Sequence, residues 1–143
     1  MSRKNDLHLQ NKLALQEAFA ALATGNRGPF GALMDEDASW TIIGTTAWSG
    51  TYRGLRQIRD ELLGPLFAQF ADTYTYTNTA HRFIAEDDYV AVECRGRVSL
   101  RSGKPYNNTY CYICRFENGK IKELTEYMDT LLVEEVLDAP TRR

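Results

Sequence analysis

Between residues 6 and 24, apolar side chains recur at Leu15, Phe19 and Leu22, with Ala18 and Ala21 beside them. That three-and-four spacing lays them along one face of a helix, and Gly25-Asn26 marks its C-terminal stop. Gly28-Pro29 opens a short second helix, because proline is preorganised for a first turn; Phe30, Leu33 and Met34 take its buried side and residues 35–37 break it. Residues 39–43 form a brief apolar strand carrying Trp40. Residues 44–54, rich in Gly, Thr and Ser, read as a loop that holds Trp48 and Tyr52, where a ligand could be gripped. Leu55, Ile58 and Leu62 space a third helix over residues 55–63, interrupted at Gly64-Pro65 before residues 66–70. Residues 73–85 are Thr- and Tyr-rich and strand-like, with a turn at Asp87-Asp88. Next, residues 89–100 alternate cleanly. Val90, Val92, Cys94, Gly96, Val98 and Leu100 share one face, opposite Glu93, Arg95, Arg97 and Ser99, so the even positions face the core. Residues 130–137 make a short amphipathic tail able to pack across a sheet.

Residues 106–129 are two aromatic, β-branched runs joined by a tight turn, which is a β-hairpin. Asn118-Gly119 supplies the positive φ angles that a short loop needs. A two-residue loop sets Glu126 opposite Cys111. A three-residue loop, residues 117–119 with Gly119 as the bulge residue, pairs Phe116 with Lys120 and sets Glu126 opposite Tyr110. The second is preferred, since it groups Tyr110, Tyr112, Cys114 and Phe116 inward and leaves Arg115 outside. The inner face then carries two phenols and one carboxylate.

Helices first and a run of antiparallel strands afterwards is the α+β pattern, a strongly curved, mostly antiparallel sheet with the helices segregated to one side. Bent into a cone and closed at its mouth by the N-terminal helices, such a sheet makes a pocket for a small apolar molecule, with polar groups at its depth. At 143 residues the chain is expected to be one domain, residues 1–143, with one core. Its 17 basic and 19 acidic residues leave a net charge of −2, which gives no electrostatic case for nucleic acid or an anionic membrane. The three cysteines, Cys94, Cys111 and Cys114, all lie in strand-like runs without metal-ligand spacing and read as buried thiols of a reducing compartment. No apolar stretch approaches membrane-spanning length and the first residues lack a signal-peptide core, so a cytoplasmic protein is expected. Two distant histidines, His8 and His81, and scattered carboxylates form no ligand cluster, and no metal or cofactor is expected.

Several segments together resemble the nuclear transport factor two-like superfamily, in its SnoaL-like and ketosteroid-isomerase-like branch. They are the first helix with Gly25-Asn26, Asp37-Ala38-Ser39-Trp40 with Gly44, Gly50-Thr51-Tyr52-Arg53-Gly54, Val90-Ala91-Val92-Glu93, Phe116-Glu117-Asn118-Gly119-Lys120-Ile121 and Glu126-Tyr127-Met128-Asp129. The likeness spans residues 7–136 and implies the cone-shaped α+β roll; the fold hosts isomerases, cyclases, epoxide hydrolases and non-enzymatic binders, so it does not choose the reaction. Ketosteroid isomerases carry a general-base carboxylate on the early strand, where this chain has Ile42. Their oxyanion donor falls near Tyr112, and a phenol also donates to an enolate. The Asp–Arg–Asp set of limonene-epoxide-hydrolase-like members falls on Gly96, Cys94 and Glu126, which argues against that chemistry. SnoaL-like polyketide cyclases use an acid/base carboxylate on the last strand, and Glu126 stands at that place.

The resemblance and the parity of the strands together name the candidates. Glu126 is the proton shuttle, since an apolar cone raises a carboxyl's pKa towards neutrality, and Tyr112 or Tyr110 stabilises the oxyanion. Trp40, Ile42, Trp48, Cys94, Asn108 and Cys114 are the expected ligand-contacting residues. Arg53 is read as capping the following helix, His81 as a surface residue, and Asp129 as ending its strand by binding local amides. The expectation is a homodimer paired through the outer face of the sheet, acting on an apolar carbonyl compound, polyketide- or steroid-like, by isomerisation or aldol-type cyclisation. The alternative is a non-catalytic binding or assembly domain of the same fold.

Overall fold

The hairpin at residues 109–128 sets the geometry of the rest. In the computed structural model, which describes residues 3–140 and the side chains from residue 6 onward, Asn118 and Gly119 have φ of 51° and 77° and form a two-residue turn. Strand β5 (Thr109–Glu117) and strand β6 (Lys120–Met128) therefore start in register, Glu117 opposite Lys120 and Phe116 opposite Ile121. One step later Arg115 faces Glu123, so Lys122 is an extra residue in β6, a β-bulge. The bulge decides two things. It moves Glu126 opposite Tyr112, not Cys111 or Tyr110 as either regular loop requires. It also switches parity, so that Ile121, Leu124 and Glu126 all point inward, although a regular strand would send Leu124 and Glu126 away from Ile121. The inward set Tyr110, Tyr112, Cys114 and Phe116 stands as expected, and Arg115 lies outside among Glu123 (3.0 Å), Glu117 (3.5 Å) and Asp88 (3.8 Å).

Among the described residues, six strands make one sheet in the order β2-β1-β6-β5-β4-β3. Strand β1 (Met34–Ile42) runs parallel to β6 and antiparallel to β2 (Gly50–Arg53); β3 (Thr77–Glu86) and β4 (Tyr89–Arg97) complete the antiparallel part. Residues 35–37 do not end a helix, as their polarity suggests. They sit inside β1 where its register against β6 jumps, folded by the Asp37 amide donating to Asp35 Oδ1 at 2.8 Å, beside the bulge residue Lys122, whose Nζ is 3.5 Å from the same oxygen. The reading of residues 44–54 as loop also fails at its end. Residues 50–53 add an edge strand to β1, with the Thr41 and Thr51 hydroxyls 2.8 Å apart.

Helix α1 (Arg3–Leu22) buries Leu15, Ala18, Phe19 and Leu22 against the concave face, and ends at Gly25, whose φ is 90°. Phe19 meets Phe30 of α2 (Gly28–Leu33), Phe83 of β3 and Tyr112 of β5, which ties the helices to the sheet. The third helical stretch is not broken at Gly64-Pro65. Helix α3 (Gly54–Gln57) passes into a π-wound segment (Ile58–Leu63) and on into α4 (Gly64–Phe67). Proline inside an α-helix clashes with the preceding turn and lacks an N–H. The wider winding lets the chain continue, with the Gly64 N–H reaching back five residues to Arg59 O. Helix α5 (Thr130–Val136) starts where Asp129 accepts the Leu131 and Leu132 amides at 3.1 and 3.3 Å, the strand-ending role read from the sequence. After α5, Trp48 Nε1 donates to Asp138 O at 3.1 Å, and Gln69 holds the Asp138 backbone with two hydrogen bonds, so the C-terminal segment is fastened beside α4. Among the described residues, no helix is long and apolar enough to cross a membrane.

Candidate active site

Three neighbouring strands deliver their inward side chains to one place. Ile42 of β1 pairs with Glu126 of β6, Trp40 with Leu124, and Glu126 with Tyr112 of β5. A cavity of about 290 Å³ opens above them. The sheet forms its floor, and α2, the α3–α4 stretch and α5 wall it with Phe30, Leu62, Leu66, Phe67 and Val133. Size and apolar character suit a small organic molecule.

Glu126 is 8% exposed. Its Oε1 accepts the Trp40 indole N–H at 3.1 Å, and its other oxygen has no hydrogen bond within the protein among the described residues. Burial favours the neutral acid and pushes the carboxyl up to about 7, while the indole N–H favours the anion and holds it back in part. Near neutral pH the group exists in both forms, as proton transfer demands. The phenols differ. Burial drives Tyr112, Tyr110 and Tyr76 well above the ordinary phenol range, and Tyr106 up to about 12, with the nearby Glu126 charge adding to the shift in all four. They are permanent hydrogen-bond donors at neutral pH. Tyr110 and Tyr112 stack with centroids 5.3 Å apart, and Trp40 meets Tyr112 edge to face at 6.2 Å, which fixes the orientation of all three rings.

The structure brings together Glu126, Tyr112, Tyr110, Trp40, Ile42 and Trp48 on the cavity lining. It does not bring the other three. Cys94 and Cys114 are fully buried but do not line the cavity, and burial raises both thiols beyond reactive range. Asn108, also fully buried, is spent on the backbone: Oδ1 accepts the Thr109 and Asp129 amides at 2.8 and 3.1 Å, and Nδ2 donates to Asp129 O at 3.1 Å. It staples the start of β5 to the end of β6. His81 is exposed at a register shift in β3. Arg53 makes no side-chain cap; the following helix is bound through the Arg53 backbone N–H donating to Gln57 Oε1.

Five polar lining residues were missed from sequence. Asn78 lies at the start of β3 and Tyr76 just before it, with Asn78 Nδ2 donating to the Tyr76 hydroxyl at 3.0 Å and Asn78 Oδ1 buried without a partner among the described residues. Tyr106 precedes β5, Arg27 stands just before α2 and Arg59 in the π-wound segment, both arginines exposed. One signal was available. Gly96 takes an inward position of the alternating strand β4, and a Cβ there would lie 3.1 Å from both the Tyr110 ring and the Tyr76 hydroxyl, so the glycine marks where two tyrosines need room. Among the described residues, no group of three or more His, Cys, Asp or Glu side chains is placed to hold a metal.

Comparison with known proteins agrees with the fold. The SnoaL-like domain matches residues 15–124. The chain belongs to the SnoaL-like family. Solved structures share its fold over nearly the whole chain. A protein described as a SnoaL-like polyketide cyclase from Jannaschia sp. CCS1 is 16% identical, with 99% of this chain and 100% of that one covered and a TM-score of 0.74. An NTF2-like protein of unknown function from Burkholderia pseudomallei K96243 is 18% identical over 90% and 98% of the two chains, TM-score 0.73. One described as an isomerase from Bacillus subtilis is 20% identical over 90% and 93%, TM-score 0.68. At such identities these likenesses establish the fold alone. No curated protein matches the chain.

Proposed function

We propose that this SnoaL-like protein is a cofactor-free isomerase or cyclase that enolises an apolar carbonyl compound of polyketide- or steroid-like character. One observation carries the reading: a carboxyl with a pKa near 7 stands inside an apolar cavity, oriented by Trp40 and flanked by neutral phenols. The free oxygen of ionised Glu126 takes the proton from the carbon next to the substrate carbonyl; that C–H bond breaks, an O–H bond forms on the carboxyl, and the electron pair moves onto the carbonyl oxygen. Tyr112, with Tyr110 behind it, donates a hydrogen bond to the resulting enolate. Protonated Glu126 then returns the proton, either to a different carbon, which is isomerisation, or to the alkoxide formed when the enolate carbon attacks a second carbonyl, which is aldol closure. No electrons are gained or lost. The names of the Jannaschia and Bacillus proteins are consistent with these two outcomes.

The test is solvent-deuterium incorporation next to the carbonyl of cyclic ketones, followed by NMR. Wild type is expected to exchange at least a hundredfold faster than Glu126→Gln, with Tyr112→Phe in between. Equal rates in wild type and Glu126→Gln would remove the acid/base assignment. A second reading, a non-catalytic binding domain, draws on Ile42: the early strand brings no carboxylate, so Glu126 acts alone. Under that reading ketones bind and raise the melting temperature, yet none exchanges.

A further inference from the structure

Among the described residues, the charged side chains on the cavity lining apart from Glu126 are two arginines, and both are exposed, which puts them at its mouth. Arg27 precedes α2. Its guanidinium carbon lies 3.9 Å from the centroid of Phe67 on α4, so it reaches across the opening from one closing helix to the other. A guanidinium seated over a ring face by its central carbon is held there by cation–π attraction, which leaves its N–H donors available for other partners. Among the described residues no ion pair or side-chain hydrogen bond uses them. Arg59 projects from the π-wound segment, and only its Nε is engaged, 3.2 Å from Asp60 Oδ1 in an exposed pair that a ligand anion can displace. The Asp60 carboxylate, shared with Arg56 at 3.9 Å, does not line the cavity. From mouth to floor the cavity thus runs from positive charge, through apolar wall, to a carboxyl among phenols.

We propose that the mouth is an anion subsite, and that the ligand is a carbonyl compound bearing an ionised carboxylate at the end remote from its reacting carbonyl, gripped by Arg27 with Arg59 beside it. The inference rests on the reading of the floor as the place where the carbonyl binds. It follows from where a charge can go. At the floor a carboxylate would be desolvated and would face Glu126, whereas at the mouth it stays half hydrated and meets a fork of N–H donors that matches its two oxygens. The same asymmetry orients the molecule, carbonyl first.

The experiment is calorimetric titration of the protein, near neutral pH, with para-acetylbenzoate and its longer biphenyl homologue, each against its uncharged methyl ester. At least one acid is expected to bind wild type about tenfold more tightly than its ester, and the gap should narrow with added sodium chloride. Arg27→Gln is expected to remove most of that gap while leaving ester affinity within about twofold; Arg27→Lys should restore part of it, and Arg59→Gln should cost less in the same direction. Glu126→Gln should leave the gap unchanged. Acids and esters binding equally to wild type would overturn the subsite while the floor reading stands, provided the esters still exchange deuterium. A loss of acid and ester affinity together in Arg27→Gln would overturn it too, since that marks packing on Phe67. Tighter acid binding in Glu126→Gln would show the carboxylate pointing inward and overturn the orientation. If no acid or ester binds and none exchanges, the floor reading and the subsite fall together.

Discussion

Replacing Glu126 by glutamine is expected to destroy proton transfer and to stabilise the fold above about pH 7. The cost of the ionised carboxyl follows from its surroundings. In the unfolded chain the group titrates near its ordinary 4.5, and in the folded protein burial pushes it up to about 7. Between those values the folded state binds more protons than the unfolded one, so stability falls as pH rises and levels off above about 7. A rise of that size corresponds to about 3 kcal/mol. Glutamine fits the same space and keeps an oxygen for the Trp40 indole, but it has no charge to desolvate. The penalty should therefore vanish with the substitution. For a chain of this length that amounts to roughly 10 °C in melting temperature. The assay is thermal and urea unfolding of both proteins from about pH 4 to about pH 9, with the difference in stability plotted against pH. Any fixed cost of burying the amide cancels in that plot, which leaves only the titration. The difference is expected to be flat below about 4.5, to grow in favour of Glu126→Gln up to about 7, and then to hold. A difference independent of pH would mean that Glu126 titrates alike in both states, and the desolvation argument, with the catalytic reading built on it, would fail.

Three further outcomes follow from particular contacts. Trp40→Phe keeps the ring but removes the N–H that favours the Glu126 anion, so the pH midpoint of deuterium exchange should move up by roughly one unit; an unmoved midpoint would show that the 3.1 Å hydrogen bond does not tune the acid. Gly64→Ala puts a Cβ 2.9 Å from Arg59 O, a backbone atom that cannot swing aside, and should cost about 1–3 kcal/mol by urea unfolding; a cost near zero would mean that the π-wound segment relaxes freely. Deleting Lys122 removes the bulge residue itself. The ladder then runs regularly from Phe116–Ile121 to Tyr112–Glu126 with the same side chains inward, so the variant should fold and retain exchange within about tenfold, losing chiefly the half-buried contact to Asp35. Loss of exchange in a folded variant would refute that account of the register.

Where the chain repeats a period, its structure was legible in the sequence. The face Leu15, Phe19 and Leu22 and the even positions of β4 are buried as their spacing demands, because each is a long, uninterrupted pattern that only one element satisfies. What escaped lies where the period breaks. The π-wound turn has no residue signature of its own, and Pro65 read locally signals an end. Residues 50–53 form an edge strand too short and too polar to alternate visibly. Asn108 looked like a ligand donor because its parity matches Tyr110, yet position on the inner face does not say whether a side chain's polar atoms are already taken, and here the Thr109 and Asp129 backbone takes them.

The register of the hairpin is the most instructive of these, because the clue was present. Ile121 and Leu124 are both apolar and three residues apart, a spacing that no regular strand can place on one face. Either one of them is exposed or an extra residue lies between them. A strand that must pack against a core on its inner side forces the second answer, and two polar residues in succession, Lys122 and Glu123, are where the extra residue can hide without burying a charge. The structure adopts it: both apolar residues are buried and Glu123 turns out to meet Arg115 at 3.0 Å. The functional consequence is larger than the local one. Two residues past Leu124 the restored alternation turns Glu126 inward, so the carboxyl on the cavity lining faces inward because the bulge takes up one residue, Lys122, that pairs with nothing across the ladder.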